Sequence, residues 1–126
     1  MKKAKITFED VKLFLNYPNE FWEYVSPKIK KVDSTIPGNE IFYATLLKYD
    51  DNNHIKDIIV MVPYIIDIET ACINVHELKH AYDMYLKLNK YVDDKDQKYE
   101  DDAIELEKQF QKKLMNFKWR YNWRLL

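Results

Sequence analysis

The stretch Asn74-Val75-His76-Glu77-Leu78-Lys79-His80-Ala81-Tyr82-Asp83 decides how this chain is read, and it lies in a run without Gly or Pro from Tyr64 to Leu126. With neither breaker present, nothing local interrupts a helix. Residues four apart on an α-helix stand one above the other on the same face. His76 and His80 can therefore offer two imidazole nitrogens to one ion, at about 2.0–2.1 Å each for zinc. Glu77, beside the first His, reaches a metal-bound water, and would act as general base on a water whose pKa zinc lowers to roughly 7. A catalytic zinc takes three protein ligands and keeps its fourth position open, so another side chain has to complete the set.

Downstream lies Tyr99-Glu100-Asp101-Asp102-Ala103-Ile104-Glu105-Leu106-Glu107, with nineteen residues between His80 and Glu100. Here the chain resembles the gluzincin branch of the zincin metallopeptidases. In that branch a Glu on a second helix, about twenty residues past the motif and often followed by Ala three positions on, completes the site. The string His-Glu-Leu-Lys-His-Ala-Tyr-Asp is similar to that of small gluzincin domains of the ImmA/IrrE type and to the His-Glu-Leu-x-His-Ala-x-Asp of mitochondrial processing peptidases. The similarity covers residues 57–111. It implies His76, His80 and Glu100 as ligands of one Zn2+ per chain, Glu77 as catalytic base, and hydrolysis of a peptide or protein substrate. The alternative is a catalytically silent zinc-binding interaction module, such as a phage or mobile-element accessory protein. Helical geometry agrees with Glu100: Ala103 lies on nearly the same face, and its small side chain lets two helices approach closely enough to share an ion, whereas Glu105 points elsewhere.

Working outward, 126 residues make one domain, near the modal domain size and long enough to bury its own core. Apolar residues at 47% and charged ones at 33% give a globular chain rather than a disordered one. A net charge of −1 provides no general attraction to nucleic acid or to an anionic membrane, so neither is an expected partner. One cysteine excludes an internal disulfide and fits a reducing compartment. Glu9 and Asp10 fall where a signal peptide would place its apolar run, and no stretch is long and apolar enough for a membrane span. The expected location is cytoplasmic.

Thr7 is a candidate N-cap for a short helix, with Asp10 three residues on, and Phe21, Trp22, Tyr24 and Val25 mark a second helix that Pro27 ends. These helices are expected to pack on the sheet rather than to form a lid over the cleft. Residues 32–39, with Pro37 and Gly38, read as a redirecting turn. Strand formers then fill residues 40–49 and 57–64 around the turn signal Asp50-Asp51-Asn52-Asn53, which predicts an antiparallel hairpin leading into the motif helix. In the family that the chain resembles, the strand nearest the motif helix often lines the cleft, which implies residues 57–64 as the strand that holds an extended substrate by adding it as another strand.

Asp67 and Glu69 open the motif helix, and Asn89 is its expected stop. Asp96 is a candidate cap for a further helix over 98–116, carrying Glu100 beside Ala103, Leu106, Phe110 and Leu114. Cys72 falls on the stripe of His76 and reads as core. Asp83 and Glu107 are candidate acceptors for the far nitrogen of a ligand imidazole. His54, at the acidic turn, reads as a surface residue, and the oxyanion stabiliser stays open among tyrosines, with Tyr64, Tyr82 and Tyr99 nearest in sequence. The tail 117–124 fits both a helical spacing and an alternation of aromatic and polar residues, and is expected to pack on the domain. The fold class expected is a compact α+β, zincin-like domain: a hairpin or small antiparallel sheet packed against the motif helix and a second ligand-bearing helix.

Overall fold

The computed structural model describes residues 6–91 and 97–123, with side chains as far as residue 114. Its elements run α1 (Phe8–Leu15), α2 (Asn19–Val25), β1 (Ile29–Val32), β2 (Ala44–Tyr49), β3 (Ile55–Pro63), α3 (Ile68–Tyr85) and α4 (Gln97–Trp123). The fold is mixed α+β. Among the described residues, four α-helices accompany one sheet of order β1-β3-β2, in which β3 is central, parallel to β1 and antiparallel to β2.

The sheet gains a strand that the sequence does not announce. Ile29–Val32 is four residues long and pairs with Val60 to Pro63, a partner about thirty residues away. The predicted hairpin forms, but its first strand starts later than expected: Ile41 and Phe42 belong to a 3-10 turn, Asn39–Phe42, and only Ala44–Tyr49 pairs with β3. Gly38 explains the shift, since its φ of 91° turns the chain into that 3-10 segment in a conformation that side chains disfavour. A bulge follows. Lys48 pairs with Asp57 and Tyr49 with Ile55, which leaves Lys56 as the extra residue. One extra residue shifts the pleat by one position, so Ile55 and Ile58 both face the core although they are three apart.

Ile58, Val60 and Val62 point from β3 toward Ala71, Val75 and Leu78 of α3, all of them buried in one cluster with Phe21 and Phe110. Each such aliphatic side chain contributes about 1.5–3 kcal/mol by leaving water. Helix α2 reaches the sheet at β3, as expected, but α1 packs chiefly on α3, and the two enter the core through Val11, Leu15, Phe21, Trp22 and Val25. Thr7 and Asp10 form the predicted reciprocal cap at α1.

Polar contacts cap α3 and tie it to the end of β3. Asp67 caps the helix by accepting from the Thr70 backbone N–H, and the Thr70 hydroxyl oxygen accepts from the Asp67 N–H in return. The buried Asn74 amide donates to the carbonyl of Pro63, the last residue of β3, at 3.0 Å and to that of Thr70 at 2.9 Å. Helix α3 ends at Tyr85, earlier than the stop expected at Asn89. Asn89 instead takes a left-handed φ of 66° and donates its N–H to Ile55 O at 2.8 Å, folding the chain back onto the start of β3. Helix α4 is longer than the expected 98–116. Its helical backbone to Trp123 decides between the two spacings of the tail as far as that residue, while Asp96 and Arg124 lie outside the described residues.

Candidate metal centre

His76 and His80, one turn apart on α3, face α4 across the most extensive helix–helix contact of the fold. The second helix turns Glu100, Ala103, Glu107 and Phe110 toward α3, at the intervals of three, four and three residues that keep one face. Ala103 is fully buried and Phe110 nearly so. Ala103 does what its size suggests, leaving the two backbones room to approach.

The result is a close group. His76 Nε2 and His80 Nε2 are 3.2 Å apart, Glu100 Oε2 is 2.9 Å from His80 Nε2, and Glu100 Oε1 is 3.1 Å from His76 Nε2. Each of the three residues offers one ligand atom, and these atoms all lie within 4.8 Å of one another. Glu107 reaches His76 from the other side, with Oε2 at 3.1 Å from Nδ1. An ionised carboxylate can only accept, so a neutral His76 that donates from Nδ1 to Glu107 would keep its Nε2 lone pair turned toward His80 and Glu100. Convergent lone pairs repel unless a proton or a cation sits among them.

The donor set suits a metal ion. Bonds of about 2.0–2.2 Å in tetrahedral array put ligand atoms roughly 3.3–3.5 Å apart. The two imidazole nitrogens at 3.2 Å fall just short of that, and the two Glu100 contacts are made by different oxygens, so rotation of the side chains is what would bring one oxygen into the set. Two imidazoles and one carboxylate are also the set that leaves a catalytic position open.

Glu77 lines the same cleft, which has a volume of about 540 Å³ and is walled by α3, by Tyr99 and Glu100 of α4, and by Ala44, Thr45, Leu46 and Leu47 of β2. Thr45 places its hydroxyl 2.8 Å from Glu77 O and 3.0 Å from Glu77 Oε1. No feature of the sequence pairs these two residues, because they meet only through the sheet.

The remaining candidates sort by position. Of the two carboxylates expected near an imidazole, Glu107 is there and Asp83 is not: Asp83 Oδ1 pairs with Lys79 Nζ at 2.7 Å on its own helix. Lys79 stands one turn before Asp83 on the same face and carries a full positive charge, which takes the carboxylate. Cys72 lies in the core and outside the ligand group, and burial, with help from the charges of Glu107, Asp67 and Glu69, pushes its thiol up to about 11. His54 stays at the hairpin turn, 3.7 Å from Asp50 Oδ2, and bridges to Tyr91. Among the tyrosines, Tyr82 stacks on Tyr17 at 4.0 Å within the aromatic core, and Tyr64 is half-exposed on the strand side remote from β2. Tyr99 lines the cleft, as do Tyr43 and Tyr49, which proximity in sequence did not single out. The strand that walls the cleft is β2 and not, as expected, the one at 57–64. That segment holds β3, which is paired on both sides and has no free edge to offer.

Comparison with protein-family models, with curated proteins and with solved structures yields no match to this chain. Among the described residues, no helix is long and apolar enough to cross a membrane.

Proposed function

We propose that the chain is a zinc-dependent peptidase of zincin-like design, with His76, His80 and Glu100 as ligands of one zinc ion and Glu77 as general base. The observation that carries this reading is the convergence of the two imidazole Nε2 atoms and both Glu100 oxygens within 3.2 Å contacts, at a cleft that Glu77 shares. When bound, the zinc supplies Lewis acidity toward the scissile carbonyl and the attacking water. Glu77 takes the proton of that water and passes it to the leaving amine. Glu107 holds the His76 ring in the tautomer that presents Nε2. Strand β2, the cleft wall with a free edge, holds an extended peptide by main-chain hydrogen bonds, and Tyr99 and Tyr43 lie where a phenol could meet the oxyanion.

The experiment pairs zinc stoichiometry with Glu77→Gln. Purified protein should bind about one zinc per chain, and Glu77→Gln should keep that zinc and the wild-type melting temperature. Hydrolysis in a peptide-library digest should fall by on the order of 10²- to 10⁴-fold in the variant. Equal rates for the two proteins would remove Glu77 as base. Tight zinc binding with no cleavage by the wild type would leave a zinc-dependent interaction module.

A further inference from the structure

The β2 wall of the cleft makes a contact to α3 that a ligand set does not require. Thr45 has one hydroxyl proton to give, and two acceptors stand within reach of it: the main-chain carbonyl of Glu77 at 2.8 Å and its side-chain Oε1 at 3.0 Å. The two anchors differ in stiffness. Thr45 is β-branched, with little freedom at χ1, and its strand is held against β3 by the pairing of Thr45 with Val60. Glu77 sits on a helix that fixes its backbone but leaves three side-chain torsions to rotate.

Resting on the peptidase reading above, we propose that Thr45 is a positioning residue for the general base. Its one hydroxyl proton, shared between the Glu77 carbonyl and Oε1, moors Oε1 to the edge strand and leaves Oε2 as the oxygen that meets the attacking water. Ala44 and Leu46, on either side of Thr45, line the same cleft. A peptide laid along β2 and the base that deprotonates its attacking water then share one rigid frame. Orientation of this kind is worth rate rather than affinity, because a displacement of about 1 Å in a reacting group can cost on the order of 100-fold.

Thr45→Val removes the hydroxyl while keeping the branched shape and the strand preference. We expect unchanged zinc content and KM, with kcat reduced roughly 10- to 100-fold, and recovery of most of it in Thr45→Ser. In a Glu77→Gln background, Thr45→Val should cost nothing further, whereas a merely structural role would add its loss to that of the first substitution. A second readout needs no turnover: crystal structures of wild type and Thr45→Val should show one Glu77 carboxylate position in the first and several rotamers in the second. A single unmoved carboxylate in Thr45→Val, or a loss expressed in KM, would overturn the proposal. A wild type that binds zinc but cleaves nothing overturns the peptidase reading and the catalytic half of this one, and the carboxylate positions then decide the mooring alone.

Discussion

Glu107→Ala removes a carboxylate that is not among the proposed ligands yet stands 3.1 Å from Nδ1 of His76. Without it, the ring loses the partner at Nδ1 that is proposed to hold its orientation. Removal of such outer partners costs 10- to 100-fold in metal affinity, about 1.4–2.7 kcal/mol. The Glu107 side chain is 30% exposed, so water can stand in for it at Nδ1, which places the expectation at the lower end, about tenfold. The assay is competition between metal-free protein and a chromophoric zinc chelator at one pH and ionic strength. Two comparators bracket the result. Glu100→Ala removes a proposed ligand and should lose far more, while Asp83→Ala breaks only the Lys79 pair and should stay within about twofold. Wild-type affinity in Glu107→Ala would refute the orienting role. A loss equal to that of Glu100→Ala would show that Glu107 is itself a ligand and that the assignment on α4 is displaced by two turns.

Ala103→Leu places three extra carbons at a fully buried point between α3 and α4. Overpacking should cost about 1–3 kcal/mol in a denaturant titration and should weaken zinc by separating Glu100 from the histidines, and unchanged affinity would show that helix spacing does not set the site. Cys72, with its thiol pushed up to about 11 by burial, should resist a disulfide-exchange reagent at pH 8 in the native protein and react once unfolded. Cys72→Ala should keep one zinc per chain, and loss of the metal would make the thiol a ligand.

What could be read from sequence was what depends on one helix at a time. The spacing of His76 and His80 and the shared face of Glu100 and Ala103 are local facts, set by a period of 3.6 residues, and the structure brings the two histidines and Glu100 together. Tertiary neighbours were out of reach. Ile29–Val32 is too short to announce a strand, and its pairing depends on a partner that only the fold supplies. Of the two carboxylates near a histidine stripe, Asp83 carried a local sign of its partner, Lys79 four residues before it, whereas Glu107 meets His76 only across two helices. Ile41 and Phe42 have the composition of a strand, yet Gly38 just upstream commits them to a 3-10 turn. Thr45 and Glu77 are thirty-two residues apart with nothing periodic between them, so their hydrogen bonds emerge only when the edge strand is laid beside the helix.

The division of the metal group between two helices also bears on how the protein folds. His76 and His80 come into line as soon as α3 winds, but Glu100 and Glu107 join them only after α4 has docked. An unfolded chain therefore holds half of a chelator, and the native one a whole. An ion that binds only the whole set works as a clasp between α3 and α4, adding about 2.7 kcal/mol to folding at a free concentration one hundred times its dissociation constant. The lability of the α4 contact would then follow how much metal the surroundings supply, and hydrogen exchange along α4 would act as its gauge.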